Sequence, residues 1–332
     1  MFIVKSYPLA VLLCIITMLC WGSWANTQKM ASKKWEFPLF YWDYTFGIIF
    51  LSLVMGLSLG SFGENGQAFI PNLFQASLNA ILLALIGGIV FNIANLLLVA
   101  AIDIAGMATA FPIGIGIALV LGVILNFIAV PIGDPILLFI GVGFVTSAIV
   151  VDALIYKKIS SGKSTRKGIL LSLTAGILMG FFYRFVAASM STDFVNPDKG
   201  LLTPYSAVFI FSIGIFLSNF LFNTFFMYRP VTGDKVSYND YFSRGNPKLH
   251  IIGIFGGMIW ALGMLLNMIA AGKAGFAISY GLGQGATMVA AVWGVFIWKE
   301  FKHAPKGTNS LIWLMFLLFI LGLGLIIMAK NV

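Results

Sequence analysis

The chain has 332 residues, of which 60% are apolar and 9% charged, with a formal net charge of +9. An ordinary soluble domain carries about 25% charged residues, so this composition and a positive mean hydropathy exclude one and indicate an integral membrane protein. The excess of positive charge does not indicate a nucleic-acid partner, because the basic residues are sorted by loop rather than gathered into one arm, and sorting of that kind reports topology.

A membrane-spanning helix needs about 20 mostly apolar residues. Ten stretches qualify, at 7–30, 38–60, 78–102, 107–131, 134–157, 168–190, 204–228, 250–271, 276–299 and 308–330. A β-barrel is excluded because its strands alternate with a two-residue period, whereas these stretches are apolar on all sides. The first resembles a secretory signal, with Lys5, an apolar run and a small-x-small triplet at Ser23–Ala25. Cleavage would strip the first half of a helix that has a counterpart in the second, so the stretch is read as a retained span. Cys14 and Cys20, six residues apart on that span, do not face each other and form no disulfide framework.

Residues 87–120 recur as residues 256–289, identical at 11 of 34 positions without a gap, at an offset of 169 residues. Five spans fit inside that offset, so the second copy crosses the bilayer in the opposite sense. The fold expected is therefore all-α, with ten transmembrane helices in two inverted five-helix repeats, 1–157 and 168–332, joined by a polar linker, 158–167. The linker contains Gly162, Lys163 and Ser164, the end of a phosphate-binding loop, but Lys157 occupies the place of the first glycine. It is read as a solvated basic loop. The loops after spans one, five, seven and nine hold fifteen Lys or Arg, whereas the other side holds only Lys5, Lys199, Lys273 and Lys330. This distribution predicts a multi-pass protein of the cell (inner or plasma) membrane, with both termini outside and the linker cytosolic. Loop 61–77, with Glu64, and loop 229–249 are read as polar connections lying in water.

The matched segments open on glycine pairs, Gly87–Gly88 and Gly256–Gly257, followed by Gly114 and Gly116, and by Gly281, Gly283 and Gly285. Small residues permit close helix packing in lipid; the sharper reading makes the second group hinges, or backbone offered to a substrate. Polar groups in mid-span face a bundle interior or a wet cavity. The substrate-binding candidates are Trp21, Trp24, Gln28, Asn92, Asn95, Tyr183, Arg184, Asn267, Tyr280 and Gln284, with Asn126, Asn219 and Asn223 as further mid-span amides. Amides and aromatic rings with little charge suit a flat neutral solute, whose edges meet amides and whose faces stack on rings. Asp43 is the main acidic residue well inside a span and the proton-coupling candidate. Asp152 is read as an interfacial carboxylate, one turn from Lys157. Arg184 has three readings: charge network, ligand contact or a snorkelling side chain. His250 and His303 are read as solvated residues at helix ends, and no catalytic constellation or metal-ligand cluster is visible. The chain is not expected to be an enzyme or to hold a metal.

YWDYTFG (41–47), LGSFG (59–63), GGIVFNIANLL (87–97), FMYRPVTG (226–233) and AGFAISYGLGQGATMVAAVWGVFIWKEF (274–301) resemble the ureide permeases of plants and their bacterial relatives, within the drug/metabolite transporter superfamily. The resemblance covers nearly the whole chain and is most specific over 226–301. It implies two inverted five-helix halves and proton-coupled uptake of neutral oxo-derivatives of nitrogen heterocycles, such as allantoin, uracil and xanthine. The plant proteins carry a long cytosolic loop with a nucleotide-binding-like motif where this chain has ten residues, so whatever that loop regulates is expected to be absent. The reading is a secondary transporter, working by alternating access, that imports a ureide-like or nucleobase-like solute through a cavity lined by spans one, three, four, six, eight and nine. It needs no cofactor; protons are the coupling ion, with sodium on unwound backbone carbonyls as the alternative. The rival functions are a sugar porter and an exporter of amphipathic compounds.

Overall fold

A computed structural model describes residues 1–32, 34–159 and 165–330. Lys33 and the centre of the predicted linker, with Gly162, Lys163 and Ser164, lie outside the described residues. Among the described residues are ten helices long and apolar enough to cross a membrane: Tyr7–Ala31, Phe37–Leu57, Leu78–Ala105, Thr109–Ala129, Pro135–Ile159, Arg166–Ser189, Pro204–Tyr228, Pro247–Ala274, Phe276–Ile297 and Thr308–Met328. They are numbered here as spans one to ten. Each lies within a few residues of a predicted stretch, because a 20-residue apolar run in lipid satisfies its backbone only as a helix. The described residues contain no strand, only an isolated bridge between Met190 and Leu202. The chain is a multi-pass membrane protein.

Successive spans run in opposite senses, so the start of span one, the end of span ten and the loops after spans two, four, six and eight share one face, called here the terminal face. Tyr7 on span one donates to the Ile327 carbonyl at 2.6 Å, and the Asp134 amide donates to the Ala329 carbonyl at 2.6 Å. The basic loops occupy the opposite face, where Lys29 meets Glu300 at 2.6 Å.

Glycine fixes the central helix crossings. A Cβ on Gly88 would run into the Phe211 carbonyl, and one on Gly214 into that of Leu85, so spans three and seven touch backbone to backbone. Spans two and eight meet in the same way: Gly257 abuts the Tyr44 carbonyl, and Gly47 that of Ile254. Without a hydrophobic force between helices in lipid, such close approach provides much of the attraction. Spans three and eight each have 28 residues and end at Gly106 (φ 76°) and Gly275 (φ 86°), where an L side chain would be strained. These two glycines are separated by the offset read from the sequence.

Two polar loops are more ordered than composition predicts. The loop after span two folds into a short helix, Phe69–Gln75, whose buried Asn72 accepts from the Thr203 amide at 2.9 Å and donates to the Leu201 carbonyl at 3.1 Å. That bond pair ties it to the loop before span seven. The loop after span seven forms a second short helix, Tyr238–Arg244, opened by a capping box of Ser237 and Asp240. The hydroxyl and amide of Ser237 hold the Asp240 carboxyl below its ordinary value.

Candidate functional site

Spans one, three, four, six, eight and nine enclose a central cavity of about 180 Å³. Its walls are largely aromatic: Trp21 and Trp24 from span one, Phe91 from span three, Phe111 from span four, Phe182 from span six and Trp260 from span eight. The rings brace each other. Trp21 lies parallel to Trp260 at 6.0 Å between centroids and donates its Nε1–H to the Trp260 carbonyl at 3.2 Å. Phe91 packs on Trp260 at 4.4 Å.

Three polar side chains interrupt this lining. Asn95 donates its amide to the Tyr41 hydroxyl at 3.2 Å, and its Oδ1 has no partner among the described residues. Gln284 makes no side-chain bond among the described residues, although it lines the cavity. Thr287 returns its hydroxyl to the Gln284 carbonyl at 2.9 Å. Span nine is irregular here: one helix ends at Gly283, another begins at Ala286, and a π turn follows at Trp293–Ile297. The interruption falls on the Gly283–Gly285 stretch, which carries the cavity-lining Gln284.

Toward the basic face the cavity widens into a vestibule of about 400 Å³, and the two share Gly22, Ala25, Phe111, Thr287 and Ala290 in their linings. Their volumes together fall within the roughly 300–1,000 Å³ of small-molecule sites. Gln28, Asp152 and Glu300 line this outer part. Toward the terminal face the path is shut by a bonded layer. Tyr183 donates to Asn267 Oδ1 at 2.7 Å, Asn267 Nδ2 donates to the Ser279 carbonyl at 2.8 Å, and Ser279 Oγ donates to the Asn267 carbonyl at 2.7 Å. Tyr280 adds a bond to the Ala118 carbonyl at 3.1 Å, and Thr17 one to the Gly263 carbonyl at 3.0 Å. Spans one, four, six, eight and nine are thereby joined on that side, and all five of these side chains are fully buried.

The residues singled out in the sequence therefore fall into four places. Trp21, Trp24, Asn95 and Gln284 wall the cavity, and Gln28 lines the vestibule. Tyr183, Asn267 and Tyr280 belong to the closing layer. Asn92 faces span seven, donating to Ser218 at 2.9 Å, and Arg184 is half-buried on span six with no bond among the described residues. Of the other mid-span amides, Asn223 joins span seven to span two by donating to the Pro38 carbonyl at 2.8 Å, whereas Asn126 bonds within span four, to the Gly122 carbonyl at 2.8 Å.

Asp43 lies outside both chambers, 1% exposed at the basic face. It accepts from Trp35 Nε1 at 3.0 Å and from the Tyr241 hydroxyl at 2.5 Å, and it contacts His250 Nδ1 at 2.8 Å. His250 is thus no solvated loop residue: it packs between Trp35 and Tyr241 with its ring on the carboxylate. Burial and the Asp43 carboxylate push the Tyr241 phenol up. Arg244, one turn on, pairs with Glu36 at 2.5 Å. Asp43 is the anchor that docks the Tyr238–Arg244 helix. Of the cavity walls, Phe91, Phe111, Phe182 and Trp260 escaped the sequence reading, since nothing separates them from the lipid-facing aromatics.

The family model for ureide permease matches residues 157–330, more than half of the chain. The chain belongs to the ureide permease family. Its members are transporters, not enzymes. Ureide permease 4 of Arabidopsis thaliana is 24% identical over 100% of this chain and 99% of its own length. Ureide permease 1 of the same plant is 23% identical with the same coverage. Transmembrane protein 144 homolog B of Dictyostelium discoideum is 27% identical over 53% of this chain and 44% of its own. A protein of known crystal structure, 15% identical, matches 97% of this chain and 98% of its own with a TM-score of 0.59, which shows a shared fold.

Proposed function

We propose that this ureide permease family member imports a small, neutral, ring-shaped solute of the ureide or nucleobase type, by alternating access and with protons as the driving ion. The observation that carries the reading is the central cavity: aromatic on most sides, with the Gln284 amide and Asn95 Oδ1 unengaged and no charged side chain among its lining residues. A planar heterocycle with carbonyl and N–H edges matches such walls, since its faces stack while its edges take up the amides. The names of the full-length relatives support the solute class.

Alternating access is supported by the asymmetry of the path, open to the basic face and bonded shut on the other. We further propose that residues 1–157 and 168–332 are inverted repeats, a reading supported by the paired glycine crossings and by the equal lengths of spans three and eight. With the basic face in the cytosol of the cell membrane, as the charge distribution favours, the conformation described is open to the inside.

Counterflow in proteoliposomes tests the reading. Vesicles loaded with unlabelled uracil, xanthine or allantoin should take up labelled solute at equal pH on both sides. Exchange of monosaccharides alone would assign the cavity to a sugar.

A further inference from the structure

Among the titratable groups that the mechanism above leaves unused is Asp152, in the last third of span five. Its residue is 8% exposed, it lines the vestibule, and its carboxyl has no hydrogen-bond or ion-pair partner among the described residues. Asp43 is placed differently, with all its contacts taken by Trp35, Tyr241 and His250. A buried carboxylate with neither donor nor counter-ion is strongly disfavoured, so a carboxyl held as Asp152 is takes up a proton or another cation from the water it faces.

The surroundings supply a counter-charge but do not satisfy Asp152. On its own helix, Tyr156 donates to Glu300 Oε2 at 2.9 Å, and Lys29 of span one binds Glu300 Oε1 at 2.6 Å. Lys29 also lies 4.3 Å from the centroid of the Trp298 ring. Spans four and ten, which flank span five, carry no titratable residue. The vestibule thus holds two carboxyls and one lysine, and the lysine is engaged by Glu300.

We propose that Asp152 carries the coupling proton, with the Lys29–Glu300 pair as its counter-charge. The proposal rests on the transporter reading. In the described conformation Asp152 faces the basic-side water, where it loads or releases its proton. Loss of the proton sets a second negative charge beside Glu300, in competition for Lys29. Because Thr287 and Ala290 line both the vestibule and the cavity on span nine, a rearrangement of this charge group acts on the helix that presents Gln284.

Two measurements decide it. Infrared difference spectroscopy of the purified full-length protein, titrated from acid to alkaline pH, should show a protonated-carboxyl band that Asp152→Asn removes, Glu300→Gln moves along the pH axis, and Asp43→Asn leaves in place. In proteoliposomes, a gradient of one pH unit supports up to about tenfold accumulation per proton. Asp152→Asn should abolish that accumulation while counterflow at equal pH continues. Where Asp152→Asn does not fold, Asp152→Glu should keep accumulation and displace its pH profile. Accumulation retained in Asp152→Asn, a profile unmoved in Asp152→Glu, or accumulation driven by sodium alone overturns the proposal. Absence of counterflow with every solute in the wild type sinks the transporter reading instead, and the infrared band still decides Asp152.

Discussion

Removing the Asn267 side chain should open the terminal face, and the size of the effect follows from its bonds. Asn267 accepts from Tyr183 at 2.7 Å and from Ser279 Oγ at 3.1 Å, and donates to the Ser279 carbonyl at 2.8 Å. Interhelical hydrogen bonds within membranes average about 0.6 kcal/mol, so the three together favour the closed layer by about 2 kcal/mol. At tenfold per 1.4 kcal/mol, Asn267→Ala shifts the equilibrium toward the opposite-facing state by roughly 20-fold, and Tyr183→Phe, which removes one bond, by roughly threefold. Cys14 reports the change, because it is fully buried beside Ser279 at 3.7 Å. In a Cys20→Ala background, the rate of Cys14 alkylation by a membrane-impermeant maleimide added on the terminal face should rise in those proportions. Folded Asn267→Ala protein with an unchanged Cys14 rate would refute the assignment of this layer as a gate.

Gln284→Ala removes a cavity amide with no partner among the described residues, so solute affinity should fall about 5- to 10-fold, as for loss of one hydrogen bond of about 1 kcal/mol, with thermal stability unchanged; titration calorimetry checks the affinity and a thermal melt the stability. Asp43→Ala leaves Tyr241 and His250 without their shared acceptor. It should cost about 3–5 kcal/mol and expose the 229–249 loop to protease, whereas Asp43→Asn should release the loop only partly. The same loop should respond to acid. The Asp240 carboxyl, held below its ordinary value by Ser237, favours the capped helix above the unfolded carboxylate value near 4, and that contribution is lost as pH falls through the folded value. Protease nicking near Tyr238–Arg244 should therefore increase at the acid end of the titration. Gly257→Val drives a side chain into the Tyr44 carbonyl and should abolish accumulation of folded protein in the membrane, as judged by detergent-extracted yield.

The ten spans were legible because lipid leaves an apolar run of that length a single backbone solution. The glycine crossings were legible because spans three and eight carry the same glycine pair at matched positions. Side-chain direction was much less so. Asn92 and Asn95 lie one turn apart on span three, yet one bonds to span seven and the other reaches the cavity and Tyr41. A soluble helix would betray its inner face by a polar outer one, but here both faces are apolar. Aromatic residues gave no better guide, since Trp260 walls the cavity at 5% exposure and Trp313 faces outward at 67%. The clasp on Asp43 joins residues up to 207 positions apart, and no local pattern announces such a contact. Asp152 looked interfacial because Lys157 follows it by five residues; its place in the vestibule, across from Gln28 and Glu300, depends on residues distant in the chain.

The most direct test of the account is ligand stabilisation of the purified protein against Gln284→Ala across uracil, xanthine, allantoin and a set of monosaccharides. A ligand at 100 times its Kd adds about 2.7 kcal/mol to stability. The account predicts stabilisation by at least one of the three heterocycles, weakened in Gln284→Ala and absent with the sugars. Stabilisation by sugars alone, or by a heterocycle equally in both proteins, would contradict it.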